Sequence, residues 1–231
     1  MEVIVKDNHN EMSKEAFRLF ADGLTGARVL GFATGGTPRM LYELASEACS
    51  YGNISFRGKC SFNLDEYYPI CRDDPESYWR YMYDNLFGRI DLESGKINFP
   101  HSMGSGQETT ARYANLYKSL GPVDLQILGI GCNGHIGFNE PGSSRDSTIR
   151  IVRLSDDTIA RNRPKTATAI TMGIKEIMES RRIILIASGD DKGRAIRDAV
   201  KGRVTESVPA SFLQEHGDVT IVLDRAAARM L

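Results

Sequence analysis

Three side chains that could exchange or orient protons lie close together in the chain: Asn133, His135 and Glu140. Glycines and a proline surround them, so this stretch cannot form a regular helix. A histidine accepts and returns a hydroxyl proton near neutral pH, and a nearby carboxylate can fix its tautomer and raise its basicity. The density of polar groups therefore predicts acid–base chemistry here. The chain has three isolated histidines, for which we expect only backbone contacts: His9, His101 and His216.

A second candidate group is the acidic pair Asp65 and Glu66, which follows an apolar segment at residues 59–64. Such a pair could simply cap a turn. A carboxylate aimed into a cleft is also what abstraction of a proton requires. If Asp65 is that base, it must be ionised to act, and partial burial would raise its pKa towards the working pH.

The turn at residues 34–38 reads Thr-Gly-Gly-Thr-Pro and precedes a helical pattern. Two glycines let the backbone approach a ligand closely, and we expect Thr37 to be the N-cap with Pro38 at the first helical position. The exposed N–H groups of a helix N-terminus attract anions. A plain tight turn explains this segment about as well as a phosphate-binding loop does.

Lys192 lies in the first turn of a helix predicted at about residues 191–201, with Asp190 or Asp191 expected to cap it. A cation there is unfavourable against the helix dipole unless an anion is also bound. Lys192 is therefore a candidate anion ligand, although an exposed lysine is the commoner explanation for any single position.

Residues 129–134 fit the pattern G-x-G-x-x-G and follow a predicted strand, which suggests a dinucleotide-binding turn. Residues 135–142 contain two glycines and a proline, so the helix that this motif requires cannot follow. The chain also lacks an acidic residue at the end of the next strand, where ribose recognition needs one. We therefore reject NAD as a cofactor.

These groups must be positioned by elements that alternate along the whole chain. Apolar segments at 28–33, 59–64, 123–130, 182–187 and 219–223 predict strands, and periodic segments at 38–50, 76–87, 108–120 and 191–201 predict helices. This alternation predicts one α/β domain, residues 1–231, with a mainly parallel sheet covered on both faces. Ligands bind beyond the carboxyl ends of such strands, so we expect the site at the turns after residues 33, 64, 130 and 187.

Composition narrows the functional class further. The chain has 231 residues, with 29 basic and 30 acidic side chains, and this balance argues against nucleic acid as the main partner. The sequence lacks a signal-peptide pattern and an apolar run long enough for a membrane span, so we expect a soluble cytoplasmic protein. Four cysteines without C-x-x-C or histidine spacing predict no metal site and buried free thiols: Cys49, Cys60, Cys71 and Cys132.

Four segments, taken together and in this order, resemble the glucosamine-6-phosphate deaminase (isomerase) family: residues 33–38, 62–67, 131–142 and 208–214. The third is the most specific, because it continues through Asn-Glu-Pro. The resemblance implies a Rossmann-like three-layer fold. It also implies conversion of an amino-sugar 6-phosphate into fructose 6-phosphate and ammonia, without a metal or an organic cofactor.

The resemblance also implies roles for single residues. Asp65 is expected to carry a proton from C2 to C1 of the sugar, and His135, backed by Glu140, to open the pyranose ring. Asn133 stands where many members have Asp, and we expect it to orient His135 or a sugar hydroxyl. The positions expected to hold the phosphate are Thr34, Gly35, Gly36, Thr37, Lys192 and, from a lid, Arg163 or alternatively Lys165.

Departures from the family pattern leave alternatives open. The lid is several residues short, as in chains resembling galactosamine-6-phosphate isomerases, so either epimer could be the substrate. Arg150 matches the effector pocket of larger members, but Val152 replaces an expected Lys, so we predict no activation by an acetylated amino sugar. A 6-phosphogluconolactonase and a non-catalytic sugar-phosphate sensor are the weaker alternatives. We expect a monomer or a small homo-oligomer, with no membrane partner.

Overall fold

The computed structural model describes all 231 residues. It contains ten strands: β1 Glu2–Lys6, β2 Val29–Phe32, β3 Cys60–Asn63, β4 Asp65–Tyr67, β5 Ile97–Asn98, β6 Leu125–Leu128, β7 Arg150–Arg153, β8 Thr168–Thr171, β9 Arg182–Ala187 and β10 Val219–Asp224. The α-helices are α1 His9–Leu24, α2 Arg39–Ser50, α3 Tyr78–Asn85, α4 Gly106–Leu120, α5 Asp156–Asn162, α6 Ile174–Met178 and α7 Gly193–Lys201. None of them combines the length and the apolar composition that a membrane crossing requires.

Seven strands form a parallel sheet in the order β1-β10-β9-β6-β2-β3-β5. Its central strands are continuous apolar runs, as expected where both faces are covered. On one face a core of 28 buried residues contains side chains from α4, α6 and α7, and on the other a core of 22 contains side chains from α1, α2 and α3. The fold is therefore the expected three-layer α/β sandwich.

A smaller antiparallel sheet, in the order β4-β8-β7, stands beside the carboxyl ends of the large sheet. Its register pairs Asp65 with Thr171 and Glu66 with Ile170. The chain leaves this sheet after β7, forms the short helix α5 and returns as β8. The strand that carries Asp65 is thus hydrogen-bonded to the strand that follows α5.

Several local predictions were wrong. Pro38, not Thr37, occupies the cap position of α2, and no side chain caps that helix. Neither Asp190 nor Asp191 caps α7, because a short 3₁₀ turn precedes it and Lys192 takes the cap position without a side-chain bond. The predicted helix at 76–87 begins two residues later, because the side chain of Ser77 caps it. The cysteines are free but not buried: three are half-buried and Cys71 is exposed.

Candidate active site

A cavity of about 740 Å³ opens at the carboxyl ends of the strands, where the four predicted turns meet. Its wall includes eight of the residues expected at the site: Thr34, Gly35, Gly36, Thr37, Asp65, His135, Arg163 and Lys192. Asn133 and Glu140 do not line it; they lie behind His135 and contact it there. The structure thus brings the predicted base and the predicted imidazole to one cavity.

Asp65 is only 6% exposed, yet its carboxylate accepts no hydrogen bond from a protein group that would stabilise the charge. Burial, followed by repulsion from Glu66, raises the pKa of Asp65 to about 8. The expected rise is confirmed, and burial is its main cause. A carboxylate without protein partners, in contact with the cavity, is free to accept a proton from a bound molecule.

The imidazole of His135 is backed by a hydrogen-bonded carboxylate. Nδ1 of His135 lies 3.3 Å from Oε2 of Glu140, and the Asn133 amide donates to the same oxygen at 2.7 Å. The backbone N–H of His135 donates to Oδ1 of Asn133 at 3.2 Å. Asn133 therefore orients both the carboxylate and the histidine backbone. Because Nδ1 faces Glu140, Nε2 is the nitrogen left for a ligand in the cavity.

Glu140 receives a further hydrogen bond, which the sequence analysis missed, from the hydroxyl of Thr158 on α5 at 2.5 Å. Burial opposes ionisation of Glu140, but hydrogen bonds from His135, Thr158 and Asn133 outweigh it and lower the pKa of Glu140 to about 2. Glu140 therefore remains a carboxylate at any working pH. A fixed negative charge beside Nδ1 stabilises a protonated imidazole.

The three glycines of the G-x-G-x-x-G segment differ in what they accommodate. A Cβ added at Gly131 would lie within 2.5 Å of both ring nitrogens of His135. Gly134 has a positive φ of 86°, and a Cβ there would lie 2.8 Å from Val208, whereas a Cβ at Gly129 would meet no atom within 4 Å. Within this pattern, Gly131 is therefore the residue that makes room for the imidazole.

The opposite end of the cavity suits an anion. Gly35 has a φ of 109°, and neither Gly35 nor Gly36 has an atom near the position of a Cβ, so the backbone of this turn is open to a ligand. Lys192 lines the same space, with Nζ 3.4 Å from the sulfur of Cys132. Open backbone N–H groups before α2 and a lysine together favour a phosphate group.

The structure separates the two lid candidates. Arg163 lines the cavity and adopts a left-handed conformation, φ 48°, that ends α5. Lys165 does not line the cavity, because its ammonium group binds Asp74 at 2.8 Å and lies 3.6 Å from Glu76. Of the two lid candidates, only Arg163 lines the cavity.

Aromatic side chains form a wall that the sequence analysis did not single out. Tyr78 stacks on Phe138 with ring centroids 5.8 Å apart, and its hydroxyl bonds that of Tyr67 at 3.2 Å. All three line the cavity. Tyr67 and Phe138 lie within segments assigned to the site, whereas Tyr78 lies in the predicted helix at 76–87 and had no such signal.

The isolated histidines behave as predicted, because each ring contacts a backbone carbonyl: His9 that of Thr37, His101 that of Met103 and His216 that of Ser180.

A second cavity, of about 350 Å³, lies beside Arg150 and Val152. The Arg150 guanidinium is already bonded to Asn139 and Ser143. The absence of effector activation stays a prediction.

Comparison with known proteins identifies the family. The model of the family glucosamine-6-phosphate isomerases/6-phosphogluconolactonase matches residues 9–222. The chain belongs to this family. A glucosamine-6-phosphate deaminase of Rhodopirellula baltica is 46% identical over 215 residues, with 89% of this chain and 85% of the relative covered. One from Clostridium botulinum is 41% identical and covers 100% of this chain and 99% of the relative.

Solved structures of the family share the fold. A monomeric glucosamine-6-phosphate deaminase superposes with a TM-score of 0.96 at 39% identity, over the full length of both chains. The 6-phosphogluconolactonase of Trypanosoma brucei superposes with a TM-score of 0.82 at 19% identity, covering 100% of this chain and 98% of the other. At that identity the second likeness concerns the fold alone.

Proposed function

We propose that this protein converts glucosamine 6-phosphate and water into fructose 6-phosphate and ammonia. The observation that carries the proposal is one cavity lined by a carboxylate without hydrogen-bond partners, Asp65, and an imidazole backed by a fixed carboxylate, His135. Ring opening and carbon-acid chemistry need two separate acid–base groups, and these two suit both steps. The full-length likeness to named deaminases supports the same reaction.

The phosphate binds at the end of the cavity formed by the 34–38 turn, Lys192 and Arg163. Backbone N–H groups, a lysine and an arginine hold three oxygens of a dianion from different directions. Such a fixed end positions the reacting carbons relative to the acid–base groups, which lowers the entropic part of the barrier.

The first chemical step opens the ring. Nε2 of His135 takes the proton of the C1 hydroxyl and returns it to the ring oxygen, so the C1–O5 bond breaks and an aldehyde forms at C1. Glu140 stabilises the imidazolium that exists between these transfers. Ring opening comes first, because the C2 proton is a weak acid until C1 is an open aldehyde.

The second step moves hydrogen between carbons. Asp65 removes the C2 proton, the electron pair forms a C1–C2 double bond, and the C1 oxygen takes up a proton from the substrate's own ammonium group at C2, which gives a neutral enolamine. Return of the proton to C1 converts the C2 amine into an imine. Addition of water and loss of ammonia leave the ketone of fructose 6-phosphate. A base with a pKa near the working pH is well suited to both the removal and the return.

The proposal also covers the oligomeric state, the cellular location and the cofactor requirement. We infer that the protein acts as a monomer in the cytoplasm on a small phosphorylated amino sugar, without metal or organic cofactor. The monomeric state of the deaminase that superposes over both full lengths supports the first point. Free thiols at all four cysteines fit a reducing compartment. Sedimentation of the purified chain tests the oligomeric state.

Substrate assays test the reaction. We expect ammonia release from glucosamine 6-phosphate, unchanged by a chelator, and slower release from galactosamine 6-phosphate. Faster release from the galacto epimer would reassign the substrate. Hydrolysis of 6-phosphogluconolactone without ammonia release from either amino sugar would make the protein a lactonase, and inactivity with all three would favour a sensor.

The lid supplies a matched pair of variants for the phosphate site. Arg163→Met should raise KM about tenfold or more, because it removes a charge-assisted contact with the phosphate. Lys165→Met removes a cation two residues away that binds Asp74 instead, and should leave KM unchanged. Equal effects of the two substitutions on KM would contradict the assignment of Arg163.

A further inference from the structure

Glu66 is a buried carboxylate that the mechanism above does not use. It is 1% exposed and follows Asp65 directly on β4. Successive side chains of a strand point to opposite faces, so Asp65 and Tyr67 reach the cavity while Glu66 points away from it. A charged side chain is rarely so deeply buried without partners.

Its partners are backbone N–H groups. Oε1 of Glu66 accepts from Tyr67 and from Tyr78, each at 2.9 Å, and Oε2 accepts from Trp79 at 2.9 Å. The amides of Tyr78 and Trp79 are the first two of α3, which no intrahelical carbonyl can satisfy. Glu66 therefore ties the first turn of α3 to β4.

The helix held in this way carries two residues of the cavity wall. Tyr78 forms part of the aromatic wall, and the Tyr81 hydroxyl donates to the carbonyl of Gly35 in the proposed phosphate turn at 2.5 Å. A shift of α3 would move both contacts together. Glu66 thus links the strand of the base to the elements that enclose the sugar.

We propose that Glu66 is a positioning residue for the reaction, which fixes α3 against β4 and places a negative charge directly beside the base Asp65. This inference rests on the proposed function, since it assigns Asp65 the role of base. Strand β4 then carries two carboxylates with different roles: Asp65 faces the substrate, and Glu66 faces the first turn of α3.

Charge next to Asp65 has a measurable consequence. Burial raises the pKa of Glu66 to about 7, although three backbone N–H groups and Arg72 oppose the rise. A negative charge on Glu66 opposes ionisation of Asp65, so the two carboxyl groups titrate as a coupled pair. The other titratable or charged groups that face Asp65 or line its cavity are Tyr67, Glu76, Tyr78, Tyr81, Tyr113, Cys132, His135, Asp157, Arg161, Arg163 and Lys192.

The test is Glu66→Gln, followed by the pH dependence of kcat/KM for ammonia release. Without the neighbouring anion Asp65 ionises more readily, so the acid limb should move to lower pH by roughly one unit. KM should also rise, because the NH2 group that replaces one carboxylate oxygen cannot accept a backbone N–H bond, so the first turn of α3 loosens.

The chain offers a matched control in Glu176. It is also a buried carboxylate that accepts two backbone N–H bonds at the start of a short helix, from Gly173 and Ile149, and it does not line the cavity. Glu176→Gln should lower Tm about as much as Glu66→Gln does, because each variant loses backbone hydrogen bonds, but it should leave the acid limb in place. Equal acid limbs in wild type and Glu66→Gln, or the same shift in both variants, would overturn the proposal.

A measurement on the wild-type protein tests the coupling of the two carboxyl groups even if Glu66→Gln does not fold. In a carboxyl ¹³C NMR titration, with the Asp65 signal assigned by its loss in Asp65→Asn, the Asp65 shift should follow two steps because Glu66 titrates beside it. A single step would refute the coupling whether or not Glu66→Gln folds. This readout needs no turnover, so two steps in an inactive wild type would show that the proposed function fails while the coupling of Glu66 to Asp65 holds.

Discussion

Two carboxylates serve the same cavity, and their surroundings drive their pKa values in opposite directions. Asp65 is buried, accepts no hydrogen bond and lies next to Glu66, and its pKa rises to about 8. Glu140 is also shielded from water but accepts hydrogen bonds from Thr158, Asn133 and His135, and its pKa falls to about 2. Burial acts on both. The number of donors decides between them.

The difference matches the roles proposed for the two residues. A carboxylate that gains and loses a proton during turnover must not be held too strongly in its charged form, and Asp65 meets that condition. A carboxylate that supports an imidazolium must stay charged, and Glu140 does. Where two acids in one site have pKa values driven apart, the environment has separated the base from the electrostatic support.

Replacing the base gives the largest expected effect. Asp65→Asn keeps the shape of the side chain but cannot take the C2 proton, so kcat for ammonia release should fall about 10²–10⁴-fold. Binding of the sugar phosphate, measured by calorimetry, should persist because the phosphate end is untouched. Retained turnover would place the base elsewhere.

Displacing the imidazole should be the next largest. Gly131→Ala places a Cβ where the His135 ring lies, and a displacement of about 1 Å at a reacting group can cost about 10²-fold in kcat. Gly129→Ala is the control, since no atom lies within 4 Å of its added Cβ. A fully active Gly131→Ala variant would show that the ring position does not matter.

Removing one of the hydrogen-bond donors that bind Glu140 should have a smaller effect on activity. Thr158→Val deletes the hydroxyl that bonds Oε1, and the loss of one hydrogen bond to a charged group, about 1.5 kcal/mol, corresponds to about a tenfold fall in kcat/KM. Thr158→Ser keeps the hydroxyl and should retain most of the activity. If serine and valine are equally impaired, packing of α5 explains the loss and not the hydrogen bond.

The smallest effects concern stability, and they should have opposite signs. Asp65 has a raised folded pKa, so its contribution is complete below the unfolded value of 3.8 and is lost as pH rises through about 8. Asp65→Asn should therefore raise Tm by several degrees at pH 8, with a gain that shrinks towards pH 4.

Glu140 provides the reverse case. Its folded pKa is lowered, so its contribution is present above the unfolded value of 4.5 and is lost as pH falls through about 2. Glu140→Gln should lower Tm by a few degrees at pH 7. Thermal melts of both variants over this pH range check the pair, and shifts of the same sign would contradict the comparison.

The sequence predicted the sheet well where the strands are buried on both faces, because continuous apolar runs such as β9 and β10 have one interpretation in an α/β pattern. It missed β1 and α1, and it missed the small β4-β8-β7 sheet. The β7 segment at residues 150–153 was not predicted as a strand. Its strand character comes from pairing with β8, 15 or more residues further along the chain.

Most of the site was predicted from residue types at strand ends, and those residues meet because parallel strands end at the same edge. Arg163, which ends α5, was expected from the family resemblance instead. Thr158 could not be found in this way, because a threonine in a polar helix has no distinctive pattern. For the lid, the sequence favoured Arg163 and left Lys165 as the alternative. The ion pairs of Lys165 with Asp74 and Glu76, which bring residues 91 and 89 positions apart together, decide between them.

The chain leaves the small sheet after β7, forms α5 and returns to the sheet as β8. This segment contributes no strand to the seven-stranded sheet. The residues on either side of segment 154–167, Arg153 and Thr168, pair with each other in the small sheet. We therefore expect the segment between them to be replaceable without loss of this pairing. Grafting longer or shorter cassettes from related sequences offers a route to altered sugar selectivity on an unaltered scaffold.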